Sequence, residues 1–320
     1  MSTEVKNKVN EILVAHNLDF RIQKDQLVTK ASMLDILIGE MGMSQESAIE
    51  LLVKRGISTP YYALTNDKSG EVLNSVKEGY TVSQNDEIVE LVLRGMEGFG
   101  ELSVSKAGSL NGGRKVFIQL GIEGMSLVGS ENIKRYVTII DSNDGSTGLS
   151  VGIGELVMSC QNQFFRFYKN GQSKFRHTAS LTQRVKELPQ LIELALGESL
   201  KLTETYRQFQ STKVSRKLAD EMVKHILGFD RSMSIKEGAE MSTRSLNAMD
   251  TLYNHIEKET NQKGLNLFGL FSGVTSWTTH EKSAPRRENG REESIMTGTN
   301  YRTNEQGLEF ALNKLGLVMA

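Results

Sequence analysis

Between Leu102 and Met158 the chain is a succession of short apolar, β-branched runs: SVSKAGSL, RKVFIQLGI, RYVTIIDS and GLSVGIGELVM. Each is closed by a turn rich in glycine or small polar residues. Runs of this length cannot span far before the chain must reverse, so the stretch predicts at least four strands that fold back on one another. Upstream, a change of period follows Pro60. YYALTN and EVLNSVKEGYTVS read as strand and strand, with the turn residues Asp67 to Gly70 between them. Asn85 is placed to cap a helix over DEIVELVLRGM, whose first turn carries Asp86 and Glu87, where the helix dipole favours acids. Strands with an intervening helix predict an α+β fold with a largely antiparallel sheet, its core over residues 59–180.

The flanks read differently. Residues 1–58 are expected to be a helical N-terminal extension. Val5, Val9, Ile12 and Leu13 share a face, and a second helical pair runs through ASMLDILIGEMGMSQESAIELLVKRG. Such an extension serves as a lid on the core, or as a docking or homo-oligomerisation element. Residues 181–320 keep apolar residues at three and four spacing, from Val185, Leu188 and Ile192 to Met222 and Ile226, and predict a helical region. Within it, residues 280–305 are polar and charged and read as a mobile loop. Composition bounds the function. The formal net charge is −1 over 320 residues, so attraction to an anionic polymer must come from local patches. Cys160 is the single cysteine, which rules out an internal disulfide and a multi-thiolate zinc site. No secretory signal and no run of about 18 apolar residues is present, so the expectation is a cytoplasmic protein without a membrane partner.

No motif names a reaction. AGSLNGGRKVFIQ sets Arg114 and Lys115 beside a glycine pair; it can cradle a phosphate or simply turn a hairpin, and it lacks Walker A spacing. DSNDGSTG, Asp141 to Gly148, fails the spacing of a calcium loop. It leaves a two-carboxylate magnesium site from Asp141 and Asp144 to set against an Asx-type turn. No other cofactor is expected. Cys160, with His177 as base, is a nucleophile candidate, although its surroundings suit a small buried hydrophobe.

The sharpest electrostatic signal is the stretch QNQFFRFYKNGQSKFRHT. No acid occurs from Leu156 through Lys186, and Arg166, Lys169, Lys174 and Arg176 alternate with aromatics. Asn170-Gly171 predicts a two-residue hairpin in which Phe167 opposes Lys174 and Phe165 opposes Arg176; a helix starting near Gln161 is the competing reading. Cations on strands neutralise phosphates and aromatics stack on bases, a combination suited to single strands. The alternative is that Phe165, Phe167 and Phe175 are core.

Several segments taken together, YYALTNDKSGEVLNSVKEGYTVSQN, GSLNGGRKVFIQL, YVTIIDSNDGSTGLSVG, SCQNQF, RHTAS and LNLFGLFSGVTSWTTHEKSAP, resemble in that order the phage- and plasmid-borne family of domain of unknown function 932. The likeness runs from about Tyr61 to Pro285. Relatives often carry Asn-Ser-His-Asp-Gly-Ser where this chain has Asp141-Ser142-Asn143-Asp144-Gly145-Ser146, which counts against that histidine as a general base. The resemblance implies a setting among mobile genetic elements and no assigned reaction. The β-rich core with a basic surface is similar in outline to single-strand annealing proteins. The leading expectation is therefore a DNA-metabolism accessory protein of a host cytoplasm that binds single-stranded nucleic acid. Its candidate contacts are Arg114, Lys115, Arg166, Tyr168, Lys169, Lys174, Arg176 and His177. A metal-dependent hydrolase or nucleotide-acting enzyme using Asp141, Asp144 and His177 is the second expectation. A host-factor interaction protein working through residues 1–58 is the third.

Overall fold

Two antiparallel sheets share one core. β1 (Ile22–Thr29), β2 (Ile57–Asn66) and β3 (Val72–Lys77) form the smaller sheet, in that order. The turn between β2 and β3 is built as its residues predict: the Asn66 side-chain oxygen accepts from Lys68 N and Ser69 N, and Gly70 takes φ +68°. Among the described residues the larger sheet has seven strands: β4 (Leu102–Leu110), β5 (Lys115–Ile122), β6 (Ser126–Val128), β7 (Glu131–Ser142), β8 (Leu149–Val157), β9 (Gln163–Phe167) and β10 (Lys174–Phe175). The structure is a computed structural model that describes residues 3–29, 42, 44, 47, 57–96, 102–122, 126–167, 174–178, 181, 185–229 and 242–317. The second helical pair expected before residue 57, the Asn170–Gly171 turn, Tyr168 and Lys169 lie outside those residues, as does the side chain of Lys174.

The helices are α1 (Thr3–Ala15), α2 (Asn85–Met96), α3 (Leu188–Ser211), α4 (Arg216–Leu227), α5 (Thr243–Lys263), α6 (Leu267–His280), α7 (Gly290–Met296) and α8 (Thr299–Lys314). Among the described residues none is long and apolar enough to cross a membrane. Local chemistry sets their ends. Ser215 and Ser242 cap α4 and α5 through their hydroxyls, and Gly228 closes α4 in the left-handed region. Asn85 does something other than capping: its amide donates to the carbonyls of Leu18 and Phe20, fixing the turn from α1 into β1.

Alternation along the larger sheet divides its faces. Val116, Ile118, Leu120, Val137, Ile139, Val151 and Ile153 point into the core shared with the smaller sheet, α1, α2 and the start of α3. Phe117, Ile140 and Phe165 point the other way, against Ile295 and Met296 of α7. α6 and α8, with the end of α3, cover the region around Phe164 and Ile133.

Three expectations are corrected here. First, the described residues among 1–58 are not a separate helical extension: Val9, Ile12, Leu13, Leu18, Phe20 and Ile22 belong to the main core, and β1 is a strand paired with β2. Second, the 280–305 segment forms α7 and the first turn of α8. Some of its polar residues are buried and partnered: Glu293 pairs with Lys115 and Arg287, and Asn300 binds the Thr278 carbonyl and Lys282. Third, Phe165 and Phe167 do not oppose Arg176 and Lys174. Phe165 pairs with Gly154 and Phe167 with Gly152, while Lys174 and Phe175 pair with Ser150 and Leu149. β9 and β10 therefore lie end to end along one edge of β8. The reason is in β8 and the turn before it. A Cβ at Gly152 would fall on the Arg166 carbonyl, one at Gly148 on the Phe175 carbonyl, and one at Gly154 would lie 2.8 Å from the Phe165 ring. Glycine at these positions lets the edge strand and its aromatics close in. That edge is itself covered, because Gln163 N donates to Thr279 Oγ1 and Phe167 N to Tyr301 Oη.

Candidate functional site

The segments that begin and end the sheets meet at one place. The 78–84 loop after β3 brings Tyr80, Thr81 and Ser83; the end of β7 brings Asp141, Ser142 and Asn143; the residue after Arg176 is His177. The His177 ring stacks on Tyr80 with centroids 4.7 Å apart and planes 6° from parallel. Its Nε2 lies 2.8 Å from Asp141 Oδ1, and its Nδ1 lies 3.0 Å from the Thr81 carbonyl and 3.5 Å from Ser83 Oγ. Both nitrogens face acceptors, an arrangement that a doubly protonated imidazolium satisfies and a neutral ring does not. Burial pulls the ring's pKa down, but the Asp141 hydrogen bond and charge and the Thr81 carbonyl outweigh it and leave it raised. Tyr80 Oη donates to the Ser142 carbonyl at 3.3 Å. Burial, then the charges of Asp141 and Asp144, push the phenol well above its ordinary range. Asp141 Oδ2 and both polar atoms of the Asn143 side chain are buried and meet no protein partner. Leaving such atoms unmet costs about 1–3 kcal/mol each, so this corner is polar at the expense of stability.

The sequence-predicted cations beside it are committed internally. Arg114 caps the outer edge of β3, donating to the Leu73 and Val72 carbonyls and to Glu71 Oε1 at 2.7 Å. The glycine pair ahead of it turns the β4–β5 hairpin, and the Glu71 carboxylate packs on Gly112 where an anion would have to sit. Lys115 is only 7% exposed; its Nζ lies 2.6 Å from Glu293 Oε1 and 3.8 Å from Asp144 Oδ2. Asp144 also accepts from Ser146 N at 2.8 Å, the Asx-type turn. The two aspartates thus each meet their own basic partner, His177 for Asp141 and Lys115 for Asp144, and among the described residues no group of three or more His, Cys, Asp or Glu side chains is arranged to hold a metal ion. Burial alone would raise Glu293, but the bonds and charges of Lys115 and Arg287 dominate and hold it below the usual carboxylate range. A depressed acid stabilises above its unfolded pKa of about 4.3 and loses that contribution as pH falls through the lower folded value. Hydrogen-exchange protection of the 290–296 amides, corrected for intrinsic rates, is therefore expected to drop in acid before the sheet amides do. Equal loss in both would sink the assignment.

A family model described as Domain of unknown function (DUF932) matches residues 72–307. The chain belongs to that family. Neither the curated proteins nor the solved structures give a match. The DUF932 match spans Tyr80, Asp141, Asn143 and His177, and the segments holding them are among those by which the resemblance was read. Tyr80 and Asn143 escaped sequence reasoning as site residues. Their signal was membership of those segments, since neither residue type at its position names a chemistry.

Beside this centre the DUF932 domain carries a cleft of about 280 Å³, lined by Thr81, Val82, Ser83, Ile88, Leu91, Leu149 and Leu181, with Glu87, Glu90, Arg94 and Lys186 also on its walls. Thr81 and Ser83 belong to both features. The carboxylates are already engaged: Glu90 pairs with Arg94, and Glu87 accepts from Gln84 N. Leu181 and Lys186 end the acid-free stretch, so part of that stretch reaches the cleft. The rest is distributed otherwise. Phe164, Phe165 and Phe175 are core, Phe167 packs on Tyr301, Arg166 is half-buried and Arg176 is exposed.

A second polar centre joins the sheet to the helices. Lys263, its side chain 1% exposed, is bonded to Glu259, at 0%, and lies 3.6 Å from Glu131 Oε1. Its Nζ is 3.7 Å from Cys160 Sγ. Asn162 donates to Glu259 and accepts from His280, which also donates to the Cys160 carbonyl. Burial pushes the Cys160 thiol up. With both His177 nitrogens held by Asp141 and Thr81, the Cys160–His177 dyad is not formed.

Proposed function

We propose that the DUF932 domain binds single-stranded nucleic acid by taking an unpaired base into the cleft between α2 and the 78–84 loop. The observation that carries this reading is the cleft itself. Val82, Ile88, Leu91, Leu149 and Leu181 give apolar walls for a ring, Thr81 and Ser83 give hydroxyls for its edge, and Arg94 and Lys186 stand beside them. Apolar pockets with a few convergent polar groups are the usual form of a ligand site. Recognition of single strands works by accepting bases freed from the stack. The acid-free stretch supports it, because the exposed Arg176 and Lys186 belong to that stretch. The contacts first expected from Arg114, Lys115 and His177 have no part in it, since those side chains are engaged by protein groups.

Fluorescence anisotropy with a labelled oligodeoxythymidylate of about 20 nucleotides at two salt concentrations tests the reading. Binding should weaken with salt. Leu91→Trp, which fills the cleft, should weaken it at least about tenfold, or 1.4 kcal/mol. Lys186→Glu should reduce both the affinity and its salt dependence. Absent binding at micromolar protein ends the proposal, and binding indifferent to Leu91→Trp in a folded variant moves the polymer away from the cleft.

A further inference from the structure

We propose that His177 is a positioning residue for the cleft: doubly protonated, it clamps the 78–84 loop onto the larger sheet, and loss of one proton releases that wall. The consequence for ligand binding rests on the cleft being the binding site; the clamp itself does not.

The geometry is a two-sided hold. Thr81 is pinned through both of its backbone groups, its carbonyl by His177 Nδ1 at 3.0 Å and its N–H by the His177 carbonyl at 3.1 Å. The opposite ring nitrogen is anchored 2.8 Å from Asp141 on β7. The same ring covers Tyr80, whose hydroxyl reaches the Ser142 carbonyl. Thr81 is therefore tied to β7 through the imidazole, and Tyr80 through its own hydroxyl as well, and Thr81, Val82 and Ser83 are cleft wall. A neutral imidazole carries one N–H. It can serve the Thr81 carbonyl or the Asp141 carboxylate, and whichever it abandons loses the ring as its donor. Ser83 Oγ, at 3.5 Å from Nδ1, is too distant to replace the carbonyl.

The charged and titratable groups around the ring agree in sign. Asp141 faces it from β7 and Tyr80 from the loop, while Asp144 acts on Tyr80 from the β7–β8 turn and is itself balanced by Lys115. No cation among the described residues is bonded to the ring to oppose its charge. With the folded pKa raised, the clamp is fully present below the unfolded value of about 6.5 and is lost as pH rises through the folded value.

Two readouts on the full chain, each from about pH 6 to 10, separate the clamp from the ligand. The first follows the His177 ring resonances together with hydrogen-exchange protection of the 78–84 amides, corrected for intrinsic rates. Protection should fall at least about tenfold, the equivalent of 1.4 kcal/mol, across the window in which His177 titrates. His177→Asn should show the low protection at every pH. The second follows oligodeoxythymidylate affinity, which should fall in that window for the wild type and be flat for His177→Asn. Protection that stays level while the ring titrates, or a ring already neutral at pH 7, overturns the clamp. Parallel loss of exchange protection with no oligonucleotide binding at any pH upholds the clamp and overturns the cleft as a nucleic-acid site.

Discussion

Lys263→Met is expected to lower the unfolding free energy by about 3–5 kcal/mol, because removing one member of a buried ion pair strands the other. The lysine stands between Glu259 and Glu131, and its own balance shows what it does there. Burial alone would lower its pKa, yet the Glu259 bond and charge, with Cys160 and Glu131, raise it. Methionine fills a similar volume but leaves Glu259 fully buried beside a second carboxylate. Urea denaturation at pH 7 measures the loss. Adding Glu259→Gln should return part of the loss, since the amide still accepts from Asn162 without the charge. A cost below about 1 kcal/mol at pH 7 would place the triad among ion pairs that merely break even.

Gly273→Val is expected to cost more than about 3 kcal/mol, beyond the usual range for overpacking a core. At Gly273 a Cβ would lie 2.5 Å from Ile256 Cα and 3.0 Å from Ile256 N. The obstacle is backbone on α5, so no rotamer change relieves it, and α5 and α6 must move apart. That movement would open the core of Leu252, Ile256, Leu270 and Val274 and stretch the Trp277 Nε1–Thr251 Oγ1 bond of 3.0 Å. Gly273→Ala should also destabilise, although helix propensity alone favours alanine by about 1 kcal/mol. Gly197 in α3 is the control: nothing lies within 4 Å of its Cβ position. There the same change should stabilise by about 0.5–1 kcal/mol. Thermal or urea unfolding of the alanine pair decides the matter, and equal signs at both positions would refute the close approach.

Much of the architecture was legible because it is local. β-branched runs between glycine turns gave the larger sheet, the Asp67–Gly70 turn gave the hairpin of the smaller one, and apolar residues at helical spacing gave α3 to α6. What escaped depends on partners distant in the chain. Composition shows that Glu293, Asn300 and Arg287 are polar; it does not show that Lys115, far upstream, makes burial tolerable. The NG dipeptide signals a reversal, yet the edge that β9 joins was decided by Gly148, Gly152 and Gly154. For the site, the sequence grouped Asp141 and His177 with Asp144 as a possible catalytic set but did not show the direct Asp141–His177 pairing, which spans 36 positions. Tyr80 and Asn143 carry no chemical signature until the sheets bring them together. Arg114 and Lys115 were misplaced for the same reason: a cation's carboxylate partner decides whether it faces solvent, and neither Glu71 nor Glu293 is a neighbour in sequence.

The end-to-end placement of β9 and β10 has an evolutionary corollary. Gln163–Phe167 and Lys174–Phe175 each take their register from β8, so the length of chain joining them is not dictated by the sheet. Residues can be gained or lost between Phe167 and Lys174 without shifting a single pairing on either side. Lineages are thus free to remodel this border of the domain, while the glycine-bearing strand beside it is held to its spacing.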